Sequence, residues 1–242
     1  VGWKGDIMKF VVDGKIFETF SGLHIGLLLV KGMDNRETNP VLLPLLHERQ
    51  GDIRRDFTVE TLSQQPRIAA WRKAYSAFGA KPKKYKSSVE SLYRMTLKGM
   101  DLRHINTVVD VYNFISLKHM VPVGGDDLSG VEGDIRLTFA RGDELFRPLN
   151  AEESERVKQG EVVYRDSVEV LCRRWNWREC DKTKMTGQTT NVVLVVEGLP
   201  PVAREDVQDI LDDLAQLVKR YCGGDTQGAI LDSQNQEIDL SI

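Results

Sequence analysis

The sequence predicts an α+β protein with mixed or antiparallel sheets and packed helices. Helical patterns form a block between Pro66 and Met120, and short β-rich runs form a block after Pro122. The strict alternation of helix and strand that marks a parallel sheet is missing. With 242 residues, 41% of them hydrophobic and 29% charged, the chain has room for a sizeable core.

Residues 8–12 and 15–20 are β-rich runs separated by Asp13-Gly14, a pattern that predicts a hairpin. Residues 25–30 form an apolar run of strand length. Thr38 or Asn39 then caps a helix to about Gln50, with Pro40 suited to its first turn. Pro66 opens a helix over residues 67–78, stopped by Gly79. Ser87 and Glu90 form a capping box for a helix ending near Lys98. Residues 106–120 carry apolar side chains at helical spacing. Strands follow at residues 133–139, 161–164, 168–171 and 191–197. Beyond Pro200 and Pro201, residues 204–221 are amphipathic, with Val207, Ile210, Leu211, Leu214, Leu217 and Val218 on one stripe. Residues 229–231 and 238–242 suggest a terminal hairpin. Residues 1–60 are thus expected as an N-terminal hairpin and helix extension, packed on the main domain of residues 61–242.

Composition bounds the function. A net charge of −3 gives no global attraction to polyanions, so any nucleic-acid surface is local. No run is long and apolar enough to span a membrane, and no signal peptide is visible. Cys172, Cys180 and Cys222 lack zinc-ligand spacing and fit reduced thiols, which points to the cytoplasm. No metal and no cofactor is expected. His24, His47, His104 and His119 are scattered, without a nucleophile partner.

Three segments carry candidate chemistry. Between Arg67 and Arg103 ten basic residues face only Glu90 and Asp101, with Trp71, Tyr75, Phe78 and Tyr85 interleaved. Lys81, Lys83, Lys84 and Lys86 fall in the loop between two helices, where basic and aromatic groups together suit RNA. A solvated helical face is the plainer reading for the flanking helices. The segment Arg173-Arg174-Trp175-Asn176-Trp177 continues to Asp181, Thr183 and Lys184. It offers apolar walls, an amide and fixed charge, the parts of a small polar-ligand pocket. Its tryptophans serve equally as core anchors. Gly124-Gly125 allows close backbone approach to a ligand, and also a tight turn.

Residues 103–113, read Arg-His-Ile-Asn-Thr-Val-Val-Asp-Val-Tyr-Asn, resemble the R-P-I-N-N-V-V-D-V-T-N motif of the phenylalanyl-tRNA synthetase beta chain. In the same order, Pro122 and Asp127 match the ends of its P-M-H-A-F-D motif. Thr189-Thr190-Asn191-Val192-Val193-Leu194 is similar to its T-x-N-V-L-L strand. The match is clear over residues 103–197 and extends less tightly over 66–221. The resemblance implies the fold of that chain's editing module in a free-standing protein. The implied activity is hydrolysis of the ester joining a wrong amino acid to the tRNA 3′ end, with a non-catalytic tRNA- or amino-acid-binding module as the alternative. A synthetase docked through residues 204–221 is a further possible partner.

By alignment, Asn113 matches the pocket asparagine, Asp181 a glutamate that reads the amino acid, and Thr183 a small hydroxyl residue. Gly124 stands where the family has histidine, and Tyr112 where it has threonine. The position left by the histidine is expected to be filled from residues 173–184. Gly124, Gly125 and Asn176 are the expected groups for water and oxyanion. Arg173, Arg174 and Lys184 are expected on the terminal phosphate, and Trp175 or Trp177 against adenine or the amino acid. Asp181 is expected on the substrate amino group.

Overall fold

The computed structural model describes residues 8–35 and 39–240. In chain order, the first half comprises β1 (Lys9–Val12), α1 (Gly14–Thr19), β2 (His24–Lys31), α2 (Leu42–Asp56), α3 (Pro66–Ala77), α4 (Ser88–Leu97) and α5 (Thr107–His119). Then come β3 (Val123–Asp127), β4 (Ile135–Phe139), β5 (Leu145–Phe146), β6 (Glu155–Arg156), β7 (Val162–Arg165), β8 (Val170–Arg173) and β9 (Arg178–Glu179). β10 (Val192–Gly198), α6 (Arg204–Tyr221), β11 (Asp225–Leu231) and β12 (Glu237–Asp239) complete the chain. The architecture is α+β, as the sequence predicts.

Two sheets organise the molecule. One has the order β12-β1-β4-β7-β8-β9 and is mixed, because β1 pairs parallel with β4; the other is antiparallel, in the order β11-β2-β10-β3. A two-stranded β5-β6 ribbon lies beside them. Side chains alternate along a strand, so β2 and β10 feed two cores. Ile25, Leu27, Leu29, Val193 and Val195 join the core that contains Phe10, Ile135, Val163 and Trp175. Leu28, Val30, Val192, Leu194 and Val196 join the second core, with Val108, Val111 and Ile115 of α5 and the stripe of α6. Burial on both faces explains why these strands read as unbroken apolar runs. The α6 stripe is thus inside the fold, against β2, β10 and β11, and is not a free docking face. Gly26 permits that packing: a Cβ there would lie 2.8 Å from a methyl of Val207.

Side chains cap two of the predicted helices. Ser87 accepts from the Glu90 N–H at the start of α4, and Asn106 accepts from the Val109 N–H at the start of α5. Asn39 accepts from the N–H groups of Val41 and Leu42 ahead of α2, whereas Thr38 lies outside the described residues. α2 runs past Gln50 and through Gly51, because Leu42, Leu46, Gln50 and Ile53 make one buried stripe.

Two expected hairpins are replaced. Residues 15–19 lie in α1 instead of a strand, with Ile16 and Phe17 buried on its inner side. β1 finds its partners far away in β4 and β12, and the Asp13 carboxylate is held by Arg136 and Thr138 of β4. At the other end, β11 and β12 enter different sheets, so they do not pair with each other; residues 241–242 lie outside the described residues.

Candidate functional site

A cavity of about 540 Å³ opens where α4, α5 and the edge strand β3 meet β7, β8 and β9. The strand registers explain what faces it. In β3, Gly124 is opposite Val195 and Asp126 opposite Val193, which puts both on the same face as Glu197 of β10. In the other sheet, Tyr164, Cys172 and Glu179 are successive cross-strand neighbours. Tyr112 and Asn113 of α5, and Ser88, Ser91 and Leu92 of α4, close the side.

Gly124 and Gly125 lie in a strand, not in a turn. The Glu197 N–H donates to the Pro122 carbonyl, and the Leu128 N–H to the Asn191 carbonyl. Antiparallel alternation then commits the Gly124 N–H to β10 and turns the Gly125 N–H to the open edge of β3. A Cβ on Gly125 would lie 2.3 Å from the Val193 carbonyl oxygen, so no side chain fits there. A Cβ on Gly124 would lie 3.2 Å from Oε1 of Glu179. The position where the synthetase motif carries histidine is therefore adjoined by a carboxyl group from residues 173–184.

Three carboxyl groups share the cavity. Burial and the neighbouring Asp126 push Glu179 up to about 7. Burial pushes Glu197 up to about 7 and Asp126 up to about 6, against the lowering effect of their hydrogen bonds. Glu197 accepts from Tyr164 (2.6 Å) and from the Asn176 amide (2.5 Å); Asp126 accepts from the Thr183 hydroxyl at 2.5 Å. Among the described residues, no Lys, Arg or His side chain forms an ion pair with any of the three. The Cys172 thiol between them is held protonated by burial and by these carboxyls.

The sequence-predicted residues divide into two groups. Asn113, Gly124, Gly125, Trp175, Asn176 and Trp177 all line the cavity. Asn176 does so as a fixed strut: its amide oxygen accepts from Tyr75 (2.9 Å) and the Ser88 N–H (3.3 Å), while its nitrogen holds Glu197. Arg174 and Trp175 adopt left-handed backbone conformations, with φ of 50° and 67°. The turn drives Trp175 fully into the core against Phe20 and Trp71, where it is an anchor and not a stacking platform. Trp177 stays at the rim, edge-on to Tyr85 and flanked by Arg174 and Arg178.

Four expected contacts take other partners. Arg173 is buried between Glu161 and Glu155, and Arg174 pairs with Glu161 (2.8 Å), so neither charge is free for a phosphate. Asp181 and Lys184 pair with each other (2.9 Å) outside the cavity lining. Thr183 supports Asp126 from behind. Of the basic segment, Arg72 and Arg94 converge on the buried Glu90. Among the described residues Lys81, Lys83, Lys84 and Lys86 make no ion pair, and Tyr85 ties their loop to the rim at Trp177. No group of three or more His, Cys, Asp or Glu among the described residues is arranged to hold a metal ion. No helix among them is long and apolar enough to cross a membrane.

Glu179 and Glu197 escaped the sequence reading. Glu197 gave a signal, an acidic residue closing the apolar run of β10; Glu179 gave none, hidden in a charged loop.

Residues 70–223, more than half of the chain, match the B3/4 domain family. The chain belongs to the B3/4 domain family. This B3/4 protein is 24% identical, over 174 residues, to the phenylalanine–tRNA ligase beta subunit of Fusobacterium nucleatum subsp. nucleatum, covering 60% of this chain and 22% of that one. A crystal structure of an N-terminal fragment of the phenylalanyl-tRNA synthetase beta subunit from Pyrococcus horikoshii is similar at a TM-score of 0.43 and 17% identity. That similarity covers 94% of this chain and 52% of the fragment. The B3/4 protein thus spans 22% and 52% of the lengths of these two relatives.

Proposed function

We propose that this B3/4 protein hydrolyses the ester of mischarged aminoacyl-tRNA, with the aminoacyl group in the cavity and Glu179 as general base. The observation that carries the reading is Glu179. Its carboxyl is raised to about 7, has no hydrogen-bond partner among the described residues, and lies against Gly124. A base titrating near neutrality is matched to taking a proton from water at working pH.

Water attacks the ester carbonyl as Glu179 takes its proton, forming the new C–O bond. The Gly125 N–H, on the open edge of β3, is the donor offered to the developing oxyanion. Collapse breaks the bond to the ribose oxygen, which leaves as a hydroxyl after receiving the proton. Asn113 lines the cavity beside this chemistry, and Asn176 keeps Glu197 in place. Trp177 at the rim, with Arg174 and Arg178 against its ring, adjoins the terminal adenine, and Lys81, Lys83, Lys84 and Lys86 follow the tRNA backbone. The chemistry works in the cytoplasm, on tRNA released by a synthetase.

The test is a panel of mischarged tRNAs incubated with the purified protein and with Glu179→Gln. Release of amino acid by the parent protein, lost in the variant, is expected. Tight tRNA binding without release of any amino acid would assign the protein instead to a non-catalytic binding module.

A further inference from the structure

We propose that the cavity selects an aminoacyl group with a cationic side chain, of the lysyl or ornithyl class. The inference rests on the ester-hydrolase reading for placing the aminoacyl group here, and it comes from counting charges around the cavity. Asp126, Glu179 and Glu197 face one space, and among the described residues the hydrogen bonds given to Asp126 and Glu197 come from neutral donors, among them Thr183, Tyr164 and Asn176. Among the described residues Arg178 is the one cation lining the cavity, and its guanidinium lies 4.8 Å from the Trp177 ring centroid.

With one carboxylate acting as base, two remain. The α-ammonium of any aminoacyl ester answers one. A neutral or acidic side chain leaves the other as buried, uncompensated charge, which is costly; a side-chain ammonium pairs with it. The walls fit the stem of such a group: Leu92, Val195, Trp177 and Leu149 offer apolar surface to methylenes, with the charge carried to the carboxyl end. The raised pKa values of the three groups describe the same condition from the empty side, a space that holds protons until a cation replaces them.

Calorimetry with non-hydrolysable lysyl, norleucyl and glutamyl amides of 3′-amino-3′-deoxyadenosine tests this directly. Norleucine has the lysine stem without the ammonium. The lysyl amide is expected to bind about tenfold tighter or more than the norleucyl amide, with the advantage shrinking in Asp126→Asn and Glu197→Gln. Equal binding of the two, preference for glutamyl, or no binding of either overturns the proposal.

The two readings fail separately. Deacylation of a neutral aminoacyl-tRNA in preference to lysyl-tRNA overturns the specificity and leaves the hydrolase standing. Lysyl preference in binding without release from any tRNA overturns the hydrolase alone.

Discussion

The turn at residues 173–174 and the cavity beside it handle buried charge in opposite ways. Arg173 and Arg174 are each 4% exposed, and carboxylates of Glu161 and Glu155 meet them at 2.5–2.8 Å. In the cavity, Asp126, Glu179 and Glu197 have hydroxyl or amide partners, or none, and no cation among the described residues. Charge buried with its partner holds structure; charge buried without one is answered by protons until a ligand arrives. Within residues 173–179 the difference separates the paired Arg173 and Arg174 from Glu179, which joins Asp126 and Glu197 only through strand pairing.

Substitution breaks the comparison most sharply. Glu179→Gln removes the base and is expected to slow deacylation by about 10²–10⁴-fold, measured in single turnover, while the protein stays folded. Arg173→Ala leaves the buried Glu161 with Arg174 alone and is expected to destabilise the fold by about 1–3 kcal/mol in denaturant unfolding. A destabilised but inactive Glu179→Gln protein, or a fully stable Arg173→Ala protein, would reverse the two assignments.

A smaller effect is expected at the rim. Changing Lys81, Lys83 and Lys84 together to Ala should weaken tRNA binding and lower the salt slope by about 2–3, with thermal stability unchanged. An unchanged slope would mean that these three lysines make no phosphate contact.

The sign of the pH effect sharpens the same contrast. Asp126, Glu179 and Glu197 have folded pKa values raised to about 6, 7 and 7. Stability from their neutral forms is complete below their unfolded values, near 4, and is lost as pH rises through 6 to 7. The melting temperature of the ligand-free protein should therefore fall by a few degrees from pH 5 to pH 8, and Glu179→Gln should flatten that fall. Deacylation runs the other way, rising through about pH 7 as Glu179 ionises. The smallest effect is expected at Asp181: its exposed pair with Lys184 contributes little, so Asp181→Ala should leave kcat/KM for deacylation within about twofold.

Much of this was legible in the sequence where a local rule coincided with tertiary packing. The cap at Ser87, the stripe of α6 and the apolar runs of β2 and β10 all read correctly, since each depends on neighbours within a few residues. Residues 15–20 misled because Ile16, Phe17 and Phe20 satisfy a strand pattern and a one-sided helix alike. Only the distant partners of β1 decide between them. The site was half legible. Asn113, Gly124, Asn176 and Trp177 were found through motif and loop chemistry, whereas Asp126, Glu179 and Glu197 meet only through the registers of β3 with β10 and of β8 with β9. Arg173 and Arg174 read as ligand-binding because their partners, Glu155 and Glu161, lie before β7 and give no pattern of their own.

The placement of Trp175 has a consequence for how the protein can change over time. Cys172, Trp177 and Glu179, three residues that line the cavity, belong to one eight-residue hairpin whose middle is anchored by a core tryptophan. Such a hairpin behaves as an exchangeable cartridge: its cavity-facing positions can be rewritten while the anchor preserves its seating. A change in what the cavity accepts is therefore reachable by a few neighbouring codon changes, without renegotiating either sheet.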